Sequence, residues 1–555
     1  MDDLKKIAAL IFPDIDKTPD DYDKYYPPRA LKEKAEVTRF APSPTGFLHI
    51  GGLLASLVSE RLAHQSGGVF FLRIEDTDKK REVRDGVSGI INGLSSFGIR
   101  CDEGMTGPES FTGAYGPYLQ SGREKIYQAF AKDLLERGLA YPCFCTEEEL
   151  SLVRSRQEAD KLLPGYYGAF AKCRGLSPAD VEQKLKSGLP FVVRLRSNGS
   201  EERKITFRDR IKGEIEMPQN ITDIVLIKSD GLPTYHFAHA VDDTLMRTTT
   251  VVRGDEWISS VPVHLELFSA IGRRRPNYAH IAPIMKETED GGKRKISKRK
   301  DPEAAVDYFL EEGYPPEAVI EYLLNLANSG FEDWRRQNPG APYGEFPFDI
   351  RKMSPSGALF DLVKLNDVSK AVISRFTAEK VLSSVLTWAK ARDDGLFRLL
   401  SDNPDYALNI FSIDRDVPKP RKDLAKWSDI RPYISYFYDE LFDGAYDPPD
   451  VEKSVMAAVI RRYRGLYDPS DEKDVWFDKI KGLCAPFGFA SDVKTFKKNP
   501  GDYKGHIGDI SNIVRVAVTG RRQSPDLYHI SKLLGRERLL SRLNRFLTFI
   551  GEGKE

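Results

Sequence analysis

Cysteine is scarce in this chain, with five in 555 residues. So few, and an odd number, exclude a disulfide scaffold and suit a reducing compartment. Net charge is missing as well: 83 Lys and Arg are balanced by 83 Asp and Glu. That balance argues against a protein that coats nucleic acid over its whole surface, but leaves room for a local basic face. Long apolar runs are absent too, since the hydrophobic stretches are short and interrupted by charge, so no membrane partner is expected. The opening residues, Met-Asp-Asp-Leu-Lys-Lys, have neither the apolar centre of a signal peptide nor the Arg-rich, acid-poor character of a transit peptide. A cytoplasmic address is the expectation.

What is present is an ordinary globular balance, 41% hydrophobic and 30% charged, in a chain too long for one core, so about three to five domains are expected. Residues 1–36 read as an extension with an apolar helical turn and then a Pro- and Tyr-rich docked arm. From 36 to 41 a short strand is stopped by Pro42 and Pro44, Gly46 permits a turn, and apolar residues at helical spacing follow from Ile50. A second strand, 69–74, runs into Glu75-Asp76-Thr77-Asp78, carboxylates just past a strand's carboxyl end, where ligands collect in open parallel sheets. Helices are expected over 83–99 and 121–139. Strands at 191–195 and 221–228 bracket a Lys-, Arg- and Glu-rich insertion, and a strand at 249–252 carries Arg253 at its end. After residue 301 the spacing becomes mostly helical. The fold class is therefore a doubly wound α/β domain with an inserted α/β subdomain, followed by an all-α part. In the last helix, 533–547, the leucines form one stripe, read as core, with Arg536, Arg538, Arg542 and Arg545 elsewhere.

Two distant segments carry the chemistry. Arg39-Phe40-Ala41-Pro42-Ser43-Pro44-Thr45-Gly46-Phe47-Leu48-His49-Ile50-Gly51-Gly52 turns sharply into a helix start, where free N–H groups and the helix dipole favour phosphate. Gly46, Gly51 and Gly52 allow close approach of a nucleotide, and His49 can donate to a phosphate oxygen. Lys295-Ile296-Ser297-Lys298-Arg299, in the basic run 293–300, places Lys295 and Lys298 on a loop as mobile charges suited to a triphosphate. Either segment alone is as well explained by turn glycines or solvated lysines.

Together they resemble the HIGH and KMSKS signatures of class I aminoacyl-tRNA synthetases, and the chain is similar to the bacterial-type glutamyl-tRNA synthetases from about 37 to 547. Arg73-Ile74-Glu75-Asp76-Thr77-Asp78, Asp223-Ile224-Val225, the stretch 235–243, Arg253-Gly254-Asp255-Glu256-Trp257, and the tail segments 516–520 and 533–537 carry the likeness. Gly52 stands where the general motif has its second histidine, as is common in this family, so more of the phosphate charge rests on His49, Lys298 and Mg2+. The resemblance implies a Rossmann-like catalytic domain with all-α anticodon-binding domains. It divides the chain into an extension (1–36), catalytic half one (37–140), an inserted acceptor-binding subdomain (141–220), catalytic half two with the KMSKS-like loop (221–300), a helical stem-contact domain (301–365) and a helical anticodon-binding domain of one or two subdomains (366–555).

It also implies a reaction: the α-carboxylate of glutamate attacks ATP to give glutamyl-adenylate, which is transferred to the 3′ end of tRNA(Glu), with activation dependent on bound tRNA. Arg39, Ala41, Ser43, Glu75, Tyr235, His239 and Arg253 are implied around glutamate. Gly46, His49, Gly51, Gly52, Glu256 and Lys298 are implied around ATP, with His49, Lys295 and Lys298 acting on the phosphates. Chemically, two cations suit two carboxylates, Glu75 suits the α-ammonium, and Arg253 is favoured for the side-chain carboxylate. Cys143, Cys145 and Cys173 resemble part of a zinc-binding insertion, with Tyr167 as the local fourth ligand; three reduced cysteines without metal are the alternative. Other readings are an enzyme that also charges tRNA(Gln) with glutamate and a catalytically silent, synthetase-like RNA-binding protein. A monomer is expected by analogy.

Overall fold

The computed structural model describes residues 2–78, 81 and 83–551. They divide into two compact units. One comprises the described residues up to Phe309 together with Val319–Asp361; the other comprises Leu310–Ala318 and the chain from Leu362. The segment 301–365 is thus shared between the two, most of it packing with the first.

In the first unit, β1 (Val37–Phe40), β2 (Val69–Leu72) and β3 (Glu103–Met105) are parallel, and β4 (Phe111–Thr112) closes the edge antiparallel. The helix Ile50–Ser66 crosses between β1 and β2. His49 caps its start by accepting from Gly51 N at 3.0 Å, and Gly67, at φ +68°, ends it in the left-handed region that glycine adopts without strain. β5 (Ala140–Cys143), β6 (Val192–Leu195) and the later β9 (Val225–Ile227) make a small antiparallel sheet. Between them, the hairpin β7 (Lys204–Asp209) and β8 (Gly213–Pro218) joins a sheet in the order β10-β11-β7-β8, with β10 (Thr250–Gly254) parallel to β11 (Asn277–Ile281). The expected insertion therefore does two things: its first strands build a separate layer, whereas its hairpin extends the catalytic half through Asp209 opposite Tyr278. Thr249 N donates to Val37 O at 2.9 Å, linking the β10 side to β1.

The extension is more regular than expected, with helices Asp2–Ile11 and Pro19–Tyr25. The second starts at a reciprocal Thr18–Asp21 capping box with Pro19 in its first turn, a strong local start signal. Its acidic residues are tied down: Asp23 pairs with Arg247 and Arg273, and Asp20 with Arg273.

The second unit is helical around one apolar core that includes Val381, Leu396, Ile410, Ile460, Ile513 and Leu543. Its last helix, Leu527–Phe549, is interrupted at Gly535, whose φ of +69° is left-handed. Three of the four arginines set apart from its leucine stripe are structural. Arg542 is buried over the Phe442 ring and pairs with Asp439 at 2.6 Å, while Arg536 and Arg538 donate to the carbonyls of Tyr467 and Phe437. Among the described residues no helix is long and apolar enough to cross a membrane.

Candidate active site

The carboxyl ends of β1, β2, β10 and β11 converge on a cavity of about 1230 Å³. Of the residues expected around the two substrates, Arg39, Ala41, Ser43, His49, Gly51, Gly52, Glu75, Tyr235, Arg253, Glu256 and Lys295 line it. His239 does not. It is fully buried behind Tyr235, its ring stacked on that ring at 6.2 Å, with Nε2 3.0 Å from Tyr278 Oη and Nδ1 2.6 Å from Asp243 Oδ2. One helical turn separates 235 from 239, so the sequence spacing puts both on one helix face, but the aromatic ring of Tyr235 covers the histidine. His239 supports the site rather than facing into it.

The site's arginines differ in how much negative charge each already meets. Arg73, fully buried, lies against Asp243 at 2.8 Å, Glu75 at 3.0 Å and Asp242 at 3.7 Å. Burial would lower its pKa, but these carboxylates raise it well above the usual range. Arg39 has one carboxylate, Asp243, at 3.5 Å, and donates to Val252 O at 3.3 Å. Arg253 is 6% exposed, and among the described residues no carboxylate comes within ion-pair distance of its guanidinium. Its donors meet neutral groups: His280 Nε2 at 3.1 Å, His264 Nδ1 at 3.2 Å, and Tyr235 Oη and Trp257 O at 3.4 Å. A buried cation without an anion incurs a large desolvation cost, so such a group is a strong candidate for binding an anionic ligand. Glu75, held by Arg73 at the edge of the cavity, has its carboxyl pushed up by burial against the pull of Arg73 and Arg39.

At the other end lie the residues expected around the phosphates. Burial, with Lys298 and Lys295 nearby, pushes the His49 imidazole down to about 4, so the ring is neutral near pH 7. Because Nδ1 accepts from Gly51 N, the proton of that neutral ring sits on Nε2, as a donor suited to a phosphate oxygen. Lys298 Nζ donates to Phe47 O and lies close to Gly46, while burial lowers its pKa. Lys295 is not on a loop as expected. It ends β13 (Lys293–Lys295), paired with β12 (Met285–Glu287), and its Nζ is 3.9 Å from Glu256. Only the following turn is irregular, and Asp301 holds it: this buried carboxylate takes two bonds from Arg294, at 2.6 and 2.7 Å, and one from Ser297 N. The tightness at Gly52 comes from protein, since a Cβ there would meet Leu48 at 3.1 Å and Phe40 at 3.4 Å.

A second cluster sits in the inserted layer. The sulfurs of Cys143, Cys145 and Cys173 lie within 4.8 Å of one another, with Cys145 and Cys173 3.6 Å apart. The fourth donor beside them is Tyr166, not Tyr167. The Tyr166 hydroxyl is 3.2 Å from Cys145 Sγ and accepts from Cys173 N at 3.0 Å. Tyr167 turns away and donates to Leu163 O. Hydrogen bonding from Cys173 pushes the Cys143 thiol down to about 4, whereas burial pushes Cys145 up, so one thiolate is already favoured. Three soft sulfurs this close are the kind of donors that zinc takes, and the Tyr166 hydroxyl is the oxygen beside them.

Sequence reasoning assigned no role to Arg73, Asp242, Asp243, His264, Tyr278 or His280. A visible hint was Arg73 inside an apolar strand, since an arginine there must find partners.

The match to a family model for class I tRNA synthetases (E and Q), catalytic domain, spans residues 36–333, and a second model, an anticodon binding domain, matches 501–547. The chain is 52% identical over 548 residues to the glutamate–tRNA ligase of Clostridium perfringens (strain SM101 / Type A), covering 98% of this chain and 99% of that one. With the glutamate–tRNA ligase of Sorangium cellulosum it shares 46% identity, covering 96% of this chain and 98% of the relative. Among solved structures, a glutamate tRNA ligase from Elizabethkingia meningosepticum in complex with its amino acid superposes with a TM-score of 0.73 at 27% identity, over 94% of this chain and all of that one.

Proposed function

The chain belongs to the class I tRNA synthetases for glutamate and glutamine, and from that premise we propose that it is a glutamate–tRNA ligase whose substrates meet in the cavity at the ends of β1, β2, β10 and β11. The observation that carries the reading is the buried, carboxylate-free guanidinium of Arg253, which matches the side-chain carboxylate of glutamate. Arg39, partly neutralised by Asp243, takes the α-carboxylate, and Glu75 takes the α-ammonium, which relieves the burial of its own carboxylate. Tyr235 supplies a hydroxyl between them.

With the amino acid so fixed, its α-carboxylate attacks the α-phosphorus of Mg2+–ATP, and the bond to the β-phosphate oxygen breaks as pyrophosphate leaves. No side-chain nucleophile is needed; alignment and charge neutralisation lower the barrier. His49 donates from Nε2 without changing its protonation state. Lys298 and Lys295 follow the charge that builds on the departing phosphates, and Glu256 holds Lys295 near the cavity. A hydroxyl of the terminal ribose of tRNA then attacks the glutamyl carbonyl of the adenylate, losing its proton as the ester forms, and the bond to the phosphate oxygen breaks as AMP leaves.

For the inserted layer, we infer a structural zinc held by Cys143, Cys145, Cys173 and Tyr166, where it would tie the first turn after β5 to the segment around 173. The helical unit is assigned to anticodon recognition. Charging of purified tRNA(Glu) and tRNA(Gln) side by side tests the whole reading. Glutamate on tRNA(Glu) alone supports a discriminating enzyme, glutamate on both supports the wider tRNA range, and no charging of either, with no pyrophosphate exchange in the presence of tRNA, refutes the ligase.

A further inference from the structure

Arg253 is set among imidazoles, and the protons of that set can be placed by bookkeeping alone. A guanidinium has donors only, so each histidine nitrogen facing it must offer a lone pair. His264 meets Arg253 Nη2 through Nδ1 at 3.2 Å, so its proton is on Nε2. That Nε2 lies 2.9 Å from His236 Nδ1, which must therefore accept. On the other side His280 Nε2 accepts from Arg253 Nε at 3.1 Å, and its proton on Nδ1 goes to Asp209 at 2.7 Å. Asp209 is locked in turn by the backbone N–H groups of Ile211 and Lys212, each at 2.9 Å.

The fold enforces this placement. Arg253 and His280 are directly opposite in the parallel pair β10–β11, so their side chains leave the sheet on the same face. Asp209 lies opposite Tyr278 on the next strand, and its carboxylate reaches the His280 ring. His264 comes from the helix Val261–Ala270 and is fully buried. The arrangement has a specific consequence. Two rings fix the direction of the guanidinium, yet neither lends it negative charge, and the nearest acid on that side, Asp209, is kept one imidazole away. Arg73, buried against the cavity-lining Glu75, shows the alternative, with three carboxylates around it. Four of the five guanidinium N–H groups of Arg253 are engaged by neutral acceptors, which leaves one on Nη1 and a full unit of charge at the cavity wall.

We propose that His264 and His280 are positioning residues that aim Arg253 into the cavity while leaving its charge unneutralised, and that this neutral pair makes the site select a γ-carboxylate over the isosteric amide. The inference rests on the ligase reading and deepens it. An amide offers the same shape but no charge to meet the guanidinium, so discrimination depends on that charge remaining whole. Burial pushes both imidazoles downward in pKa, which keeps them neutral at the pH of the reaction.

Isosteric pairs test it. His264→Asn keeps an acceptor near the place of Nδ1, and His264→Asp has the same shape with a negative charge. His280→Gln and His280→Glu do the same for Nε2. In tRNA charging with glutamate, and with glutamine as competitor, the Asn and Gln variants should keep a glutamate KM within about 3-fold of the parent, while the Asp and Glu variants raise it roughly 10- to 100-fold. The KM for ATP should not move, and glutamine should compete better in the acidic variants. A glutamate KM that is equal within a pair, with intact ATP KM, overturns the proposal. Should the His264 pair fail to fold, the His280 pair decides. A parent protein that charges no glutamate would instead refute the ligase reading, so the two failures are distinguishable.

Discussion

Replacing Arg253 by Gln isolates the charge on which the site is built. The amide retains a donor for the neighbouring imidazoles but removes the positive charge and the planar two-pronged face. Removing one partner of a buried, hydrogen-bonded charge pair costs about 2–5 kcal/mol, so the glutamate KM should rise roughly 30- to 5,000-fold, at about 1.4 kcal/mol per factor of ten. The ATP KM should stay near that of the parent, because His49 and Lys298 are untouched. Stability gives a second readout. In the free protein the guanidinium has no anion to offset its burial, so the unfolding midpoint of Arg253→Gln should equal or exceed the parent's. Glutamate at about 100 times Kd should add about 2.7 kcal/mol to the parent and next to nothing to the variant. Steady-state charging and denaturant unfolding, with and without glutamate, provide both measurements. A variant with a glutamate KM within about 3-fold of the parent, at unchanged ATP KM, refutes the assignment of the side-chain carboxylate to Arg253.

Lys298→Ala should lower the single-turnover rate of adenylate formation by about 10²–10³ while leaving the glutamate KM nearly unchanged; a rate equal to the parent's removes Lys298 from the phosphate step. Acid should destabilise the fold in a defined window. His239, fully buried, is pushed down to about 4 by burial, below its unfolded value of about 6.5. Its contribution is therefore full above about pH 6.5 and falls as pH drops toward 4, by on the order of 2 kcal/mol at pH 5. His236 acts in the same sense, while Glu60 and Glu75, whose carboxyls burial raises, act in the opposite one. Urea midpoints at pH 7.5 and 5 report the balance, and a midpoint that rises on acidification contradicts it. Tyr166→Phe should cost about 1–3 kcal/mol by leaving Cys173 N–H unpaired, whereas Tyr167→Phe should stay within about 0.5 kcal/mol. Metal analysis of the purified protein should find zinc in the parent and its loss in Cys173→Ser; equal zinc content in both excludes the cysteine cluster as its site.

The sequence by itself determined the order of strands and helices in the catalytic half, the start of the helix at Ile50 and the helical character of the second unit, because these depend on neighbours in the chain. Pro42, Pro44 and Gly46 end one element, His49 caps the next, and apolar spacing does the rest. Local pattern put Glu75 and Arg253 at strand ends and His49 at a helix start, but it was the likeness to the synthetase family that marked Arg39, Glu75 and Arg253 as glutamate contacts. Only the tertiary structure decided what these residues meet. Arg39 and Arg253 look alike in sequence, yet one meets Asp243, on a helix more than 200 residues further along the chain, and the other meets only neutral groups from β11 and the helices around it, a difference set by which elements pack against each strand end. Tyr166 and Tyr167 are adjacent and chemically identical, but their hydroxyls point to the cysteines and away from them. Lys295 reads as loop because it is charged and lies in a basic run; its pairing with Met285 makes it the end of a strand. Local chemistry writes the elements, and long-range pairing chooses which charge is neutralised and which is left for the ligand.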